Sequence, residues 1–248
     1  MARTDGRAND ELRPVRFETN YTMHAPGSVL VEFGRTRVLC TAMVEPRVPN
    51  FLMGSGKGWL TAEYAMLPSS TNTRKKRENY KNGPDGRSVE IGRLIGRSLR
   101  DAVDLSRFGE RQIIVDCDVI QADGGTRTAA ITGGYVAVAL ALYTLNCADR
   151  CLKPPVSAVS CGVVGGVPML DLCYVEDSSA EADVNVVMSN GGFIEVQGTG
   201  EKRPVGKEEL LSLLELAEKG NAALNKLQQK AIDDWMMARL KEEMARKK

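Results

Sequence analysis

A strand-like apolar run, a pair of glycines and a long apolar stretch follow one another in the middle of this chain. Residues 113–120 favour a strand, and residues 127–146 are so rich in alanine and leucine that they predict a buried, central helix. Between them, residues 123–128 read DGGTRT, where two glycines allow a sharp turn and a close approach of the backbone to a ligand. The rest of the fold therefore has to be built around this helix.

The turn before the helix is also a candidate phosphate site. Free N–H groups at a helix start point at one spot, where the macrodipole favours negative charge. Thr126 and Thr128 add hydroxyl donors, and Arg127 adds a planar guanidinium that suits phosphate oxygens. From the residues alone, the alternative is a tight strand-to-helix turn with a threonine cap.

Hydrophobic periodicity predicts the α+β class, with mixed sheets, packed helices and a long C-terminal helix. We find no linker, and a single domain over residues 1–248 is expected. The predicted strands are 28–33, 37–44, 58–67, 111–120, 156–164, 168–172, 182–188 and 193–197. The predicted helices are 88–107, 127–146 and one that begins after residue 206, with a break or bend allowed at residues 220–221.

Charge and rare residues exclude several classes of protein. The net charge is only +1, so any polyanion has to be met by a local basic patch. His24 is the single histidine, which excludes multi-histidine metal sites and disfavours a serine or cysteine nucleophile with a histidine base. The six cysteines lie mostly in apolar runs and predict buried thiols in a reducing compartment. With no signal-peptide pattern and no apolar run of membrane-spanning length, a cytoplasmic protein without membrane contact is expected.

Three carboxylates lie close together between two predicted strands: Asp177, Glu181 and Asp183. A loop that doubles back can bring Asp177 and Asp183 together. Such a pair suits a hard divalent cation that keeps several waters, or a proton donor whose pKa is raised by its neighbour. A solvated acidic loop is the alternative.

A basic loop precedes the first predicted helix. It carries Arg74, Lys75, Lys76, Arg77 and Lys81, with Tyr80 as its aromatic residue, and is a candidate track for an RNA backbone. A solvated charge run is the alternative.

Arg93, Arg97 and Arg100 continue along the helix that follows this loop and are candidates to extend the same track. Arg97 can pair with Asp101, and Arg100 with Asp104, because each pair is four residues apart on an exposed helix face. Such pairs account for the helical arginines without a ligand.

Motifs spread over almost the whole chain resemble the RNase PH family of phosphate-dependent 3′-to-5′ exoribonucleases, which trim tRNA precursors. No single motif is specific, but the combination is. The matching segments are 13–15 (RPV), 27–34 (GSVLVEFG), 58–68 (GWLTAEYAMLP), 86–91 (GRSVEI), 116–128 (DCDVIQADGGTRT), 174–177 (YVED), 183–188 (DVNVVM) and 195–199 (EVQGT).

This resemblance implies roles for particular residues. Inorganic phosphate, the co-substrate, would be held by Arg87, Gly125, Thr126 and Arg127, and the enzyme would release nucleoside diphosphates in a reversible reaction. The resemblance also implies that Asp177 and Asp183 are catalytic or bind a metal, with Mg²⁺ expected. It further implies an RNase PH-like fold and a homo-hexamer built as a trimer of dimers, acting on tRNA precursors and other RNA 3′ ends.

One position departs from the family pattern. An arginine often follows the Leu-Pro of the third strand, in the loop that contacts tRNA, whereas Ser69 stands there in this chain. Either tRNA is held more weakly, or Lys75 and Lys76 compensate.

Two other classes of protein are weighed against this hypothesis. A silent, RNA-binding ring subunit of related fold would lack some of the phosphate and carboxylate residues, all of which are present here. A small-molecule kinase would need a loop for a nucleoside triphosphate. The candidate at residues 54–58 (GSGKG) has no serine or threonine after its lysine.

Overall fold

Two β-sheets enclose one central helix. The computed structural model describes residues 3–77, 83 and 85–246. The strands are β1 (Val15–Thr19), β2 (Gly27–Phe33), β3 (Thr36–Glu45), β4 (Trp59–Met66), β5 (Gln112–Gln121), β6 (Val156–Val164), β7 (Val167–Leu170), β8 (Ala182–Ser189) and β9 (Gly192–Gly200). The α-helices are α1 (Gly86–Leu99), α2 (Leu105–Phe108), α3 (Thr126–Thr144), α4 (Ala148–Cys151), α5 (Tyr174–Asp177) and α6 (Lys207–Arg246).

The first sheet has the order β1-β2-β3-β5-β4, and the second has the order β7-β6-β8-β9. All neighbouring strands are antiparallel except β4 and β5, which are parallel. Helix α3 packs against β2 and β3 of the first sheet and against β6 of the second. It is buried from Thr128 to Leu142, which confirms the central helix predicted from its composition.

Helix α6 is continuous, and the glycine and asparagine at 220–221 neither break nor end it. A Cβ atom on Gly220 would lie 2.8 Å from Leu170 Cδ1, so the glycine allows the helix to pack closely on the second sheet. The buried Asn221 side chain accepts a hydrogen bond from Ser157 Oγ at 2.7 Å. These residues therefore serve packing rather than a turn.

The helix predicted over residues 88–107 is wrong at its C-terminal end, because α1 stops at Leu99. Val103 adopts an extended conformation and forms a bridge to Leu152. The Asp104 amide donates to the carbonyl of Cys151 at 2.7 Å, and the Asp104 side chain caps α2. Contacts with a distant loop thus override the helical periodicity.

The two arginine–aspartate pairs predicted along this helix do not form. Arg97 instead makes two 2.7 Å hydrogen bonds to Glu195 on β9, and the Arg100 guanidinium lies 4.5 Å from the centroid of the Trp59 ring. Asp101 pairs with Lys153 at 2.6 Å. The arginines therefore connect α1 to strands rather than stabilise an isolated helix face.

The predicted state of the cysteines is confirmed: all six are buried and none is in a disulfide bond. Within the described part of the chain, no helix combines the length and apolar character needed to cross a bilayer.

Candidate active site

The turn at residues 123–125 joins β5 to the start of α3. Gly124 and Gly125 have φ values of +77° and +65°, in the left-handed region that favours glycine. A Cβ atom on Gly124 would lie 2.5 Å from the carbonyl oxygen of Leu172, so this turn runs directly against the segment that leads into α5. Gly125 is the N-cap of α3 and has no side chain to accept from the first-turn amides, which can therefore donate to an anion.

The carbonyl side of this turn is held by two polar side chains. Arg13 Nη1 donates to the Asp123 carbonyl at 2.6 Å, and Thr36 Oγ1 donates to the Gly124 carbonyl at 2.7 Å. Arg13 also forms a buried, bidentate pair with Asp171 at 3.0 and 2.7 Å. These hydrogen bonds hold two carbonyls of the turn in place. Sequence reasoning included Arg13 only as part of a motif and missed this role.

The two threonines of the turn are not free donors. Thr128 is buried, and its hydroxyl donates to the Gly125 carbonyl at 2.8 Å, which contradicts its predicted role at the ligand. The Thr126 hydroxyl lies 2.8 Å from the Tyr64 hydroxyl. Thr126 therefore remains a candidate mainly through its backbone amide.

Two arginines from different helices approach the same carboxylate. Arg87 lies in the first turn of α1, and Arg127 lies in the first turn of α3. Burial raises the pKa of the Asp177 carboxyl, and the positive charges of Arg87 and Arg127 oppose that rise. The structure thus brings together two arginines and a carboxylate that are far apart in the sequence.

The spacing of Asp177 and Asp183 predicted that both lie in one loop, but the structure places them in different elements. Asp177 is the last residue of the short helix α5, whereas Asp183 lies on β8, opposite Gly162 of β6. Burial, together with the negative charge of Asp177, raises the pKa of Asp183 to about 6. The charge of Asp177 thus acts on Asp183 although the two carboxylates belong to different elements.

The surroundings of Asp183 leave one oxygen atom available. Asp183 Oδ2 accepts from Asn185 Nδ2 at 3.2 Å, whereas Oδ1 is buried and has no hydrogen-bond partner within the described residues. The described residues contain no group of three or more histidine, cysteine or acidic side chains able to hold a metal ion. Mg²⁺ commonly binds through one or two carboxylates together with substrate phosphates, so Asp177 and Asp183 fit such an ion.

Glu181, the third carboxylate of this segment, is directed elsewhere. It accepts from Arg203 Nε at 2.9 Å and from the Gly166 amide at 2.9 Å, and these bonds lower its pKa. Glu181 is therefore a structural residue at the surface.

The helix that carries Asp177 is anchored by a residue near the N-terminus. The buried Arg3 guanidinium donates to both carboxylate oxygens of Glu176, at 2.8 and 2.7 Å. Glu176 also accepts from the Cys173 amide at 3.0 Å and so caps α5. No local pattern in the sequence indicated this contact over 173 positions.

The described part of the basic loop, residues 74–77, lies beside the start of α1. Arg74, Lys76 and Arg77 are exposed, whereas Lys75 is partly buried, with its ammonium 3.9 Å from Asp85. Asp85 caps α1, the helix that carries Arg87, so the loop adjoins the candidate phosphate site. Tyr80 and Lys81 lie outside the described residues.

The raised pKa of Asp183 predicts that the folded protein loses stability as the pH rises. A carboxyl whose pKa is about 6 in the folded protein stabilises the fold below its unfolded-state pKa, and this contribution is lost as the pH rises through 6. Without divalent cations, Asp183→Asn should therefore become more stable relative to the wild type by about 1 kcal/mol between pH 5 and pH 8. Urea denaturation at both pH values measures this difference. Asp149→Asn, at an exposed position, is the control, and a difference independent of pH for Asp183→Asn would contradict the assignment.

The sequence of this chain also matches known proteins. The models described as "3′ exoribonuclease family", domain 1 and domain 2, match residues 11–143 and 154–220. The chain is 55% identical over 237 residues to ribonuclease PH of Corynebacterium kroppenstedtii, covering 94% of this chain and 93% of that protein.

Two solved structures share the architecture. Rice (Oryza sativa) Rrp46 matches with a TM-score of 0.77 and 20% identity, over 93% of this chain and 100% of that chain. The Archaeoglobus fulgidus exosome with RNA bound to the active site matches with a TM-score of 0.75 and 21% identity, over 92% of each chain. At these identities the likeness concerns the fold, and it confirms the predicted α+β class.

Proposed function

This chain belongs to the RNase PH family of 3′ exoribonucleases, and from that premise we propose how its residues carry out the reaction. The enzyme is a phosphorolytic 3′-to-5′ exoribonuclease that trims tRNA precursors. Inorganic phosphate attacks the phosphorus atom that links the last nucleotide to the chain. The bond from that phosphorus to the 3′ oxygen of the preceding nucleotide breaks, a nucleoside 5′-diphosphate leaves, and the 3′ oxygen gains a proton.

Arg87, Arg127 and the first-turn amides of α3 bind the attacking phosphate. The reaction brings an anion towards a negatively charged phosphodiester, so fixed positive charge is needed at the point of attack. Gly125 and Thr126 contribute backbone amides and leave the ligand room to approach. Since inorganic phosphate is already ionised, no histidine is needed as a base.

Asp177 and Asp183 act on the leaving 3′ oxygen. Asp183, with a pKa of about 6, can hold a proton near neutral pH and give it to that oxygen. The same two carboxylates can instead hold Mg²⁺, which when bound would stabilise charge on the transition-state oxygens. Asp183 Oδ1 has no hydrogen-bond partner among the described residues, and this supports either role, because the atom can carry the proton or serve as a ligand.

One observation supports this proposal more than any other. Two arginines from separate helices act on Asp177, whose charge in turn acts on Asp183, beside an N-terminus of α3 that has no side-chain cap.

The test is an RNA with a 3′ extension, incubated with and without phosphate. Shortening should require phosphate, and added nucleoside diphosphates should lengthen the RNA again. Shortening at an equal rate without phosphate would contradict the proposal.

The basic loop extends the RNA contact beyond the reacting end. Arg74, Lys75, Lys76 and Arg77 provide dense local charge in a chain that has little net charge. The partly buried Lys75 is directed towards Asp85, so the three exposed residues are the better candidates for phosphates of tRNA. Of the two lysines expected to compensate for Ser69, Lys76 is the exposed one; without such compensation tRNA is held more weakly.

Replacing Arg74 and Arg77 together with alanine should weaken tRNA binding because two phosphate contacts are lost. A plot of log affinity against log salt concentration should become less steep, with the magnitude of its slope smaller by roughly 1.5–2. Filter binding at several salt concentrations measures this slope, with the double variant Arg107→Ala and Arg150→Ala as the matched control. Phosphorolysis of a short oligonucleotide should change much less, and equal losses on tRNA and the oligonucleotide would contradict the loop's role.

The enzyme assembles as a homo-hexamer, a trimer of dimers, in which several copies of the basic loop surround shared RNA routes and raise avidity. We place this activity in the cytoplasm, where tRNA precursors and reduced thiols coexist. Light scattering should give a mass six times that of the chain. An active monomer would contradict the assembly.

A further inference from the structure

Strand β9 supplies an amide that contacts Arg127. Gln197 Oε1 accepts a hydrogen bond from Arg127 Nη1 at 3.0 Å, and the Arg127 side chain is only 18% exposed. The carboxylate of Glu90 is farther away, with Oε1 3.7 Å from the same nitrogen. The short contact of Arg127 is therefore made to a neutral group.

The orientation of this amide is determined by its other contacts. Gln197 Nε2 donates to Glu195 Oε1 at 3.1 Å and to Glu90 Oε1 at 3.4 Å. Both amide hydrogens thus have carboxylate acceptors, and the amide oxygen is turned towards the guanidinium. A flipped amide would direct its hydrogens at Arg127 and its oxygen at two carboxylates.

The carboxylates themselves are held in place. Glu195 forms the bidentate pair with Arg97 of α1, at 2.7 Å for both bonds. The network therefore connects α1, α3 and β9, which come from distant parts of the sequence. The short hydrogen bond of Arg127 in this network is therefore made to a neutral amide, and its ion pair with Glu90 is the longer contact, at 3.7 Å.

We propose that Gln197 is a positioning residue, which holds the Arg127 guanidinium towards the phosphate site without neutralising its charge. The contact occupies one of the five N–H donors of arginine. Glutamate at this position would accept the same bond, but it would compete with phosphate for Arg127 and place a third carboxylate beside Glu90 and Glu195. The inference rests on the proposed role of Arg127 in binding phosphate.

The test compares Gln197→Ala, Gln197→Glu and Gln229→Ala in the full-length enzyme. Gln229, on α6, bonds to Asp233 on an exposed face and serves as the matched control. We measure kcat, the KM for inorganic phosphate and the KM for RNA. Gln197→Ala should raise the phosphate KM by about 5- to 10-fold, the scale of one lost hydrogen bond of ordinary net strength. Gln197→Glu should raise it at least as much, whereas the RNA KM should change by less than about twofold.

A double-mutant cycle with Arg127→Ala separates this inference from the proposed function. If Gln197 acts through Arg127, adding Gln197→Ala to Arg127→Ala should cause no further rise in the phosphate KM. Full additivity of the two substitutions, or rescue by Gln197→Glu to wild-type values, would overturn the positioning role. An Arg127→Ala enzyme with an unchanged phosphate KM would instead overturn the assignment of the phosphate site, on which this inference depends.

Discussion

Replacing Asp183 with asparagine is expected to lower the rate of phosphorolysis by about 1,000-fold or more, within the range attributed to a positioned proton donor. An amide has nearly the same shape as the carboxyl, but it can neither release an acidic proton nor bind a metal ion tightly. The fold should survive, because the substitution removes a buried carboxylate whose ionisation is unfavourable. Single-turnover rates at saturating phosphate and RNA measure the effect.

The control for this substitution is Glu181→Gln, a similar exchange in the same segment. Glu181 is bound to Arg203 and Gly166, so its replacement should leave the rate close to that of the wild type. Asp177→Asn should be strongly impaired. An active Asp183→Asn enzyme would move the carboxylate role to another residue.

Replacing Arg127 with alanine should lower kcat/KM for phosphate by about 100-fold or more, the scale for losing a preorganised donor that stabilises developing charge. Arg87→Ala should have a similar effect, because both arginines are assigned to the attacking phosphate. RNA binding should fall much less, since most of the RNA backbone lies away from the attacking phosphate.

Steady-state kinetics at varied phosphate concentrations measure the effect on phosphate use. RNA binding without phosphate measures the effect on RNA affinity. Arg107→Ala, at an exposed position of α2, is the control. If Arg127→Ala and Arg87→Ala both keep near-normal rates, the phosphate site is assigned wrongly.

The strongest local patterns predicted the core of the fold. The order of β5, the Gly-Gly turn and α3 could be read from the sequence, because a buried helix between two sheets has to be apolar on all sides. Hairpin turns placed most strands correctly. Strand β1 was missed, since Val15–Thr19 alternates over only five residues next to a polar segment.

Long-range contacts could not be predicted in the same way. Arg13, Arg3 and Gln197 act on residues far along the chain, and neither periodicity nor spacing identifies such partners. Arg97 is an example of the reverse error: a nearby aspartate at helical spacing suggested a pair, whereas tertiary packing presents Glu195 at 2.7 Å. Asp177 and Asp183 were found by spacing, but their separate elements follow only from the fold.

The single-domain interpretation of residues 1–248 stays a prediction. One hydrophobic cluster includes residues of both sheets, of α3 and of α6, which supports it.

The fate of inorganic phosphate during RNA shortening tests the proposed phosphorolysis directly. A tRNA precursor with a 3′ extension is incubated with isotopically labelled phosphate, and the mononucleotide products are separated. Phosphorolysis predicts nucleoside 5′-diphosphates with the label in the β-phosphate, one for each nucleotide removed, and no shortening without phosphate. Unlabelled nucleoside monophosphates, released at the same rate without phosphate, would contradict it.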